Sequence, residues 1–210
     1  MKFEDWGLID YQTSFDRQLQ LVAEIADGKQ EERVVFCTHP PVVTLGRSSH
    51  SKDLLGWSGS VVEINRGGRA TYHGPSQIVI YPLLDLSRPR EGLPSKDIGA
   101  YLRALETWLI DGLAEFQVTA QRVEATDPSD KSFTGVWVED RKIASIGIAV
   151  KRWVAHHGCA LNLWEDPIAF TGINPCGFKK DVMTHLEAEA GRRVSYDEVM
   201  KVLTQSSLWE

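Results

Sequence analysis

Apolar residues at Phe15, Leu19, Val22 and Ala26 recur at spacings of four, three and four with polar residues between them. This predicts an amphipathic helix over about residues 14–26, ended by Gly28. Two β-branched runs follow, VVFC at 34–37 and VVTLG at 42–46, parted by THPP, whose consecutive prolines force an extended break. SVVEIN (60–65), the Gly-rich RGGRATYHGPS (66–76) and QIVIYPLLDL (77–86) predict a strand, a long loop and a strand. From Ser95 onward, Ile98, Tyr101, Leu102, Leu105, Trp108, Leu109 and Leu113 share one face of a long helix. GVWVED, KIASIGIAV and HHGCALNL predict three more strands, the first two joined by a turn at Asp140 and Arg141. Near the end SYDE has the form of a capping box, Ser195 to Glu198, opening a helix along Tyr196, Val199, Met200 and Leu203. Strands in consecutive runs with helices between the runs predict an α+β fold, a mixed, mostly antiparallel sheet flanked by helices.

At 210 residues the chain supports one substantial core, and no repeat or linker divides it, so a single domain over 1–210 is expected. Its 42% hydrophobic and 25% charged content is that of an ordinary globular protein. The start, MKFEDWGLID, lacks a basic region followed by an apolar one, and eighteen apolar residues nowhere run together; neither a secretory signal nor a membrane span is expected. Three cysteines, Cys37, Cys159 and Cys176, without C-x-x-C spacing argue against a disulfide framework and against a zinc cage, and fit a reducing cytoplasm. A net charge of −6 speaks against binding nucleic acid through global charge. Basic residues do occur in local groups, Arg66 with Arg69, Arg141 with Lys142, Lys151 with Arg152, and Lys179 with Lys180. They are either solvated surface or, if the fold gathers them, a basic rim for an acidic macromolecule.

The segment GINPCGF sets Cys176 on a corner, because Pro175 fixes its own φ and Gly172 and Gly177 allow angles that other residues resist. Such a cysteine is either a small buried filler or a presented nucleophile. A free thiol is only a few per cent thiolate at neutral pH, so nucleophilic use calls for a neighbouring cation or base. Lys142, at the start of KIASIGIAV, is a candidate cation, although the sequence alone favours a solvated lysine beside the turn. His73, His156 and His157 compete as bases; as strand neighbours, His156 and His157 are expected on opposite faces. Cys159, between Gly158 and Ala160, has the setting of a small buried residue. RGGRATYHG lacks the spacing of a phosphate-binding loop, and its small residues suit close approach to an extended ligand.

RGGRATYHGPSQIVIYP, KIASIGIAV, HHGCALN and INPCGF, in that order, resemble the octanoyltransferases of lipoate biosynthesis. The resemblance runs from HPPVVTLGR at His39 to THLE at Glu187. It implies the biotin and lipoate protein ligase fold. It also implies transfer of an octanoyl group from octanoyl-acyl carrier protein to a specific lysine of lipoyl domains, in 2-oxoacid dehydrogenases and the glycine cleavage H protein, with no ATP, cofactor or metal. The family's nucleophile falls on Cys176 and its K-I-A lysine on Lys142. Its acyl pocket falls on Arg66, Gly67, Gly68, Arg69, Ala70, Thr71, Tyr72 and His73, on Ser145, Ile146 and Gly147, and on Gly158, Cys159 and Ala160. Two positions depart from the pattern: Ser76 stands where HGPGQ has glycine, and Thr38 where a glutamate commonly precedes HPP.

Overall fold

The computed structural model describes residues 1–124, 131–178 and 180–205, with the side chains of Lys131, Cys176 and Lys180 outside that description. In chain order the elements are β1 (Lys2–Leu8), α1 (Tyr11–Ala26), β2 (Arg33–Thr38), β3 (Val42–Leu45), β4 (Ser60–Glu63), β5 (Thr71–His73), β6 (Gln77–Leu83), α2 (Ile98–Ala114), β7 (Gly135–Val138), β8 (Arg141–Lys151), β9 (Val154–Asn162), α3 (Leu186–Ala190) and α4 (Tyr196–Thr204). Short 3₁₀ turns lie between them, one of them over Pro175–Gly177. A six-stranded sheet runs β1-β2-β6-β9-β8-β7, antiparallel except where β1 joins β2, and a three-stranded sheet runs β4-β3-β5.

Strand alternation explains why β2 and β6 read as unbroken apolar runs: both faces are covered. Val34, Phe36, Ile78 and Ile80 pack toward Leu105, Trp108 and Leu109 of α2 and Leu203 of α4. Val35, Cys37, Val79 and Tyr81 pack toward Leu21, Val22 and Ile25 of α1. The predicted capping box at Ser195 and Glu198 is formed, with both of its hydrogen bonds present. None of the helices among the described residues is long and apolar enough to cross a membrane.

Four features differ from the sequence reading. β1 has no counterpart in it, because KFEDWGL is an edge strand with one neighbour and keeps polar residues on its open side. β5 lies within the expected loop, three buried residues long. Ile98 belongs to the expected apolar face of α2 yet is 42% exposed, since Asp97 caps the helix there and the inward stripe begins at Tyr101. In α1 the inward face is Tyr11, Ser14, Gln18, Leu21, Val22 and Ile25, so two polar residues face the core. The cause lies in β9, where His157 adopts φ +56 and its backbone N–H points to Gln18, whose Oε1 accepts it at 2.9 Å. A buried amide that strand pairing leaves over is satisfied by the helix.

Candidate active site

The cysteine turn is fastened to a segment far away in sequence. Leu55 N–H donates to Gly172 O at 2.7 Å and Asn174 N–H to Asp53 O at 2.9 Å, while Asn174 Nδ2 donates to Lys52 O at 3.2 Å. Asp53 is fully buried and accepts the His50 N–H at 3.0 Å. Its carboxylate also forms an ion pair with Arg69, whose Nε lies 3.2 Å from Oδ2. Despite its burial, the Arg69 and His50 contacts hold the Asp53 carboxyl below the usual carboxylate range. The Arg69 guanidinium in turn lies against Gly177, whose φ of +87 is the conformation that favours glycine. The second arginine of RGGR is therefore a strut beneath the turn that carries Cys176. The Cys176 thiol itself lies outside the described residues.

Lys142 is not a solvated lysine. It is fully buried, and its Nζ donates to Ser132 O at 2.8 Å. The Trp137 ring centroid lies 5.3 Å from Nζ and that of Phe178 lies 6.0 Å away, and these two rings meet edge to face. Cation–π attraction and a carbonyl acceptor offset part of the cost of taking an ammonium out of water. The stem of Lys142 passes over Gly135, where φ is +140 and a Cβ would stand 2.7 Å from Lys142 Cε. Phe178 follows Cys176 by two residues, so the lysine and the cysteine turn share one aromatic wall.

From this corner a cavity of about 230 Å³ extends between the large sheet and the 66–73 segment. Arg66, Gly68, Arg69, Thr71 and His73 line one side, and Ser145, Ile146, Gly147, Gly158, Cys159 and Ala160 the other. Ser132 and Thr134 line it near Lys142, and Tyr11 and Tyr81 line it beside His73. Gly67 stands behind the wall, donating its N–H to Ile148 O at 2.8 Å. Ala70 and Tyr72 are turned away, into a cluster with Val43 and Phe170, because alternate residues of a strand face opposite ways. Arg66 is buried, with Nη2 donating to Thr44 O at 2.9 Å and to Thr44 Oγ1 at 2.8 Å. It is thus no part of a surface rim. Arg152 sits beyond the far end of β8, paired with Asp27 at 2.8 Å, and Arg141 pairs with Glu189 at 3.1 Å. Lys179 and the Lys180 side chain lie outside the described residues, so among the described ones the expected basic rim is dispersed.

The histidines are unsuited to act as bases. His156 and His157 do not lie simply on opposite faces: the positive φ of His157 leaves their rings 5.0 Å apart, and of the two it is His157 that lines the cavity. Burial lowers His39 and His156 to about 4 and His157 to about 2, and pushes His73 well below its usual value. Each is therefore neutral in the folded chain at pH 7. A folded pKa below the unfolded value of about 6.5 gives stability that is complete above 6.5 and lost as pH falls toward 4. The chain is expected to lose about 3 kcal/mol for each of His39 and His156 between pH 7 and pH 4, with proton uptake on unfolding. Urea titrations across that range check this; a flat stability from pH 7 to pH 5 refutes it.

Ser76, the departure from the glycine pattern, faces outward from the cavity wall. Its Oγ donates to Asp166 Oδ2 at 3.0 Å, and the Tyr72 hydroxyl donates to the same oxygen at 2.9 Å. Nothing in the structure explains Thr38. Sequence reasoning did not single out Asp53, Ser132, Thr134 or Trp137. Asp53 sits in a polar stretch that looks like surface, and Ser132 acts through its carbonyl, which no side chain announces. Cys159 is buried, as its neighbours suggest, and burial raises its thiol to about 12.

A family model for the lipoyl protein ligase A/B catalytic domain matches residues 10–207. The chain is 44% identical over 213 residues to an octanoyltransferase of Bdellovibrio bacteriovorus, covering 98% of this chain and 96% of that protein. In fold it is similar to lipoate-protein ligase A bound with ATP, with a TM-score of 0.69 at 16% identity over 97% of this chain and 83% of the other. It is also similar to biotin protein ligase from Aquifex aeolicus, with a TM-score of 0.53 at 10% identity over 98% of this chain and 66% of the other. The expected α+β architecture of the biotin and lipoate ligases is the observed one.

Proposed function

The chain belongs to the octanoyltransferases of the lipoyl protein ligase A/B catalytic-domain family, and on that premise we propose the path by which it moves the octanoyl group. It is an acyltransferase of protein lipoylation. The donor is octanoyl-acyl carrier protein, and the acceptors are lysines of lipoyl domains in 2-oxoacid dehydrogenases and the glycine cleavage H protein. Cys176 attacks the donor thioester as a thiolate. The carbon–sulfur bond to the carrier breaks, and the Lys142 ammonium gives its proton to the departing carrier thiolate. The acceptor amine then attacks the Cys176 thioester, forming the amide and releasing the Cys176 thiolate, while neutral Lys142 takes the proton that the amine sheds. Exchange between thioesters is nearly isoenergetic and amide formation runs downhill, so ATP has no step to drive.

The observation that supports this reading best is the fully buried Lys142, close to the cysteine turn and bonded to Ser132, a residue that lines the cavity. An ammonium beside a thiol favours the thiolate. Intact-mass measurement after mixing with octanoyl-acyl carrier protein tests it. One octanoyl group is expected on Cys176 without ATP, and it is expected to leave when a lipoyl domain is added. Absence of the adduct together with ATP-dependent transfer overturns the thioester path in favour of ligation.

A further inference from the structure

The core face of α2 is apolar at Tyr101, Leu105, Trp108, Leu109 and Leu113, yet Glu106 is buried there, at 8% exposed. The proposed transfer gives it no task. Its Oε1 accepts the Gly135 N–H at 3.1 Å, and Gly135 is the residue that the stem of Lys142 crosses. One peptide is thus gripped by a carboxylate and covered by a lysine. Gly135 opens β7 opposite Ser145 of β8, just before the irregular register between Val136 and Trp137, so regular strand pairing holds it less firmly than its neighbours. The charges around the carboxylate are cationic: Arg122 from the segment after α2, Lys142 from β8 and Arg103 from α2. Burial raises the Glu106 carboxyl, and the Gly135 N–H and those three cations oppose the rise. Across Lys142 stands Phe178 of the cysteine turn, its ring centroid 6.0 Å from Nζ.

A buried ammonium is costly unless an opposite charge or strong acceptors stand near it. We infer that Glu106 is the positioning residue for Lys142: it fixes the Gly135 peptide beneath the lysine stem and supplies the negative charge that keeps the ammonium inside the protein. The inference rests on the reading of Lys142 given above.

Glu106→Gln keeps an oxygen for the Gly135 N–H and removes the charge, whereas Glu106→Leu removes both. For E106Q the expected result is an unchanged KM and a kcat about tenfold lower. The alkaline limb of kcat/KM is expected about one unit lower in pH, because an ammonium without its neighbouring carboxylate gives up its proton more readily. E106L adds a lower melting temperature. Wild-type kcat and an unmoved alkaline limb in E106Q, beside an inactive Lys142→Ala, overturn the inference alone. Equal falls in kcat in both Glu106 variants with no movement of the limb also overturn it, since they describe a structural buttress. Wild-type turnover in Lys142→Ala overturns the reading of Lys142 and this inference with it.

Discussion

Cys176→Ser is expected to lower octanoyl transfer by about a thousandfold or more while the fold stays intact, since a serine hydroxyl beside an ammonium is not made anionic near neutral pH. Cys37→Ala is the matching control: Cys37 is fully buried between α1 and the large sheet, and burial pushes its thiol well above the usual value. Its removal costs stability and leaves turnover. Lys142 separates two contributions. In Lys142→Ala, iodoacetamide labelling of Cys176 slows at neutral pH and recovers at alkaline pH. In Lys142→Arg the guanidinium keeps its charge but does not readily exchange a proton, so labelling stays fast while transfer to the lipoyl domain falls. Labelling profiles that coincide for all three proteins remove Lys142 as the activating cation.

Gly135→Ala is the second large effect. At φ +140 an alanine is strained whatever the space around it, and here the space is taken: its Cβ meets Ala144 O and stands 2.7 Å from Lys142 Cε. Backbone strain and overpacking together are expected to cost about 3 kcal/mol, a fall in melting temperature of about 10 °C for a chain of this size. Relief of the clash moves the lysine stem, so kcat falls further than the loss of folded protein explains. A melting temperature within about 2 °C of wild type, with kcat unchanged, shows that the peptide has more freedom than described.

The sheet runs were legible because strands covered on both faces are unbroken apolar words in the sequence. VVFC and IVIYPL announced themselves in that way, and KIASIGIAV by its repeated isoleucines around Ser145 and Gly147. β1 and β5 were not legible, the first because an edge strand stays polar, the second because three residues are too few to show alternation. The site divides similarly. The Pro-Gly corner left Cys176 open between a buried filler and a presented nucleophile, and the burial of Lys142 was hidden, since periodicity gives no sign that a lysine beside a turn is sealed in by Trp137 and Phe178. Asp53 and Glu106 were invisible, because each carboxylate is defined by a partner brought near only in three dimensions, Arg69 for one and the Gly135 amide for the other. The polar face of α1 misled for the same reason: Gln18 answers an amide on β9.

The stitching of the 170s turn to the 50s segment bears on when the chain acquires a reactive thiol. Asn174 and Lys52 are 122 residues apart in sequence, and bringing such distant stretches together carries a loop-closure entropy that local turns do not. The corner of Lys142 is likewise built from distant stretches, with β7 paired to β8 and Glu106 of α2 bonded to Gly135. On the proposed reading, a chain in which these stretches have not met carries Cys176 as an ordinary cysteine, mostly protonated at neutral pH. Acyl thioesters that meet the unfinished chain find little to react with. On that reading the assembled corner, and no local feature of the turn, is what makes the thiol reactive.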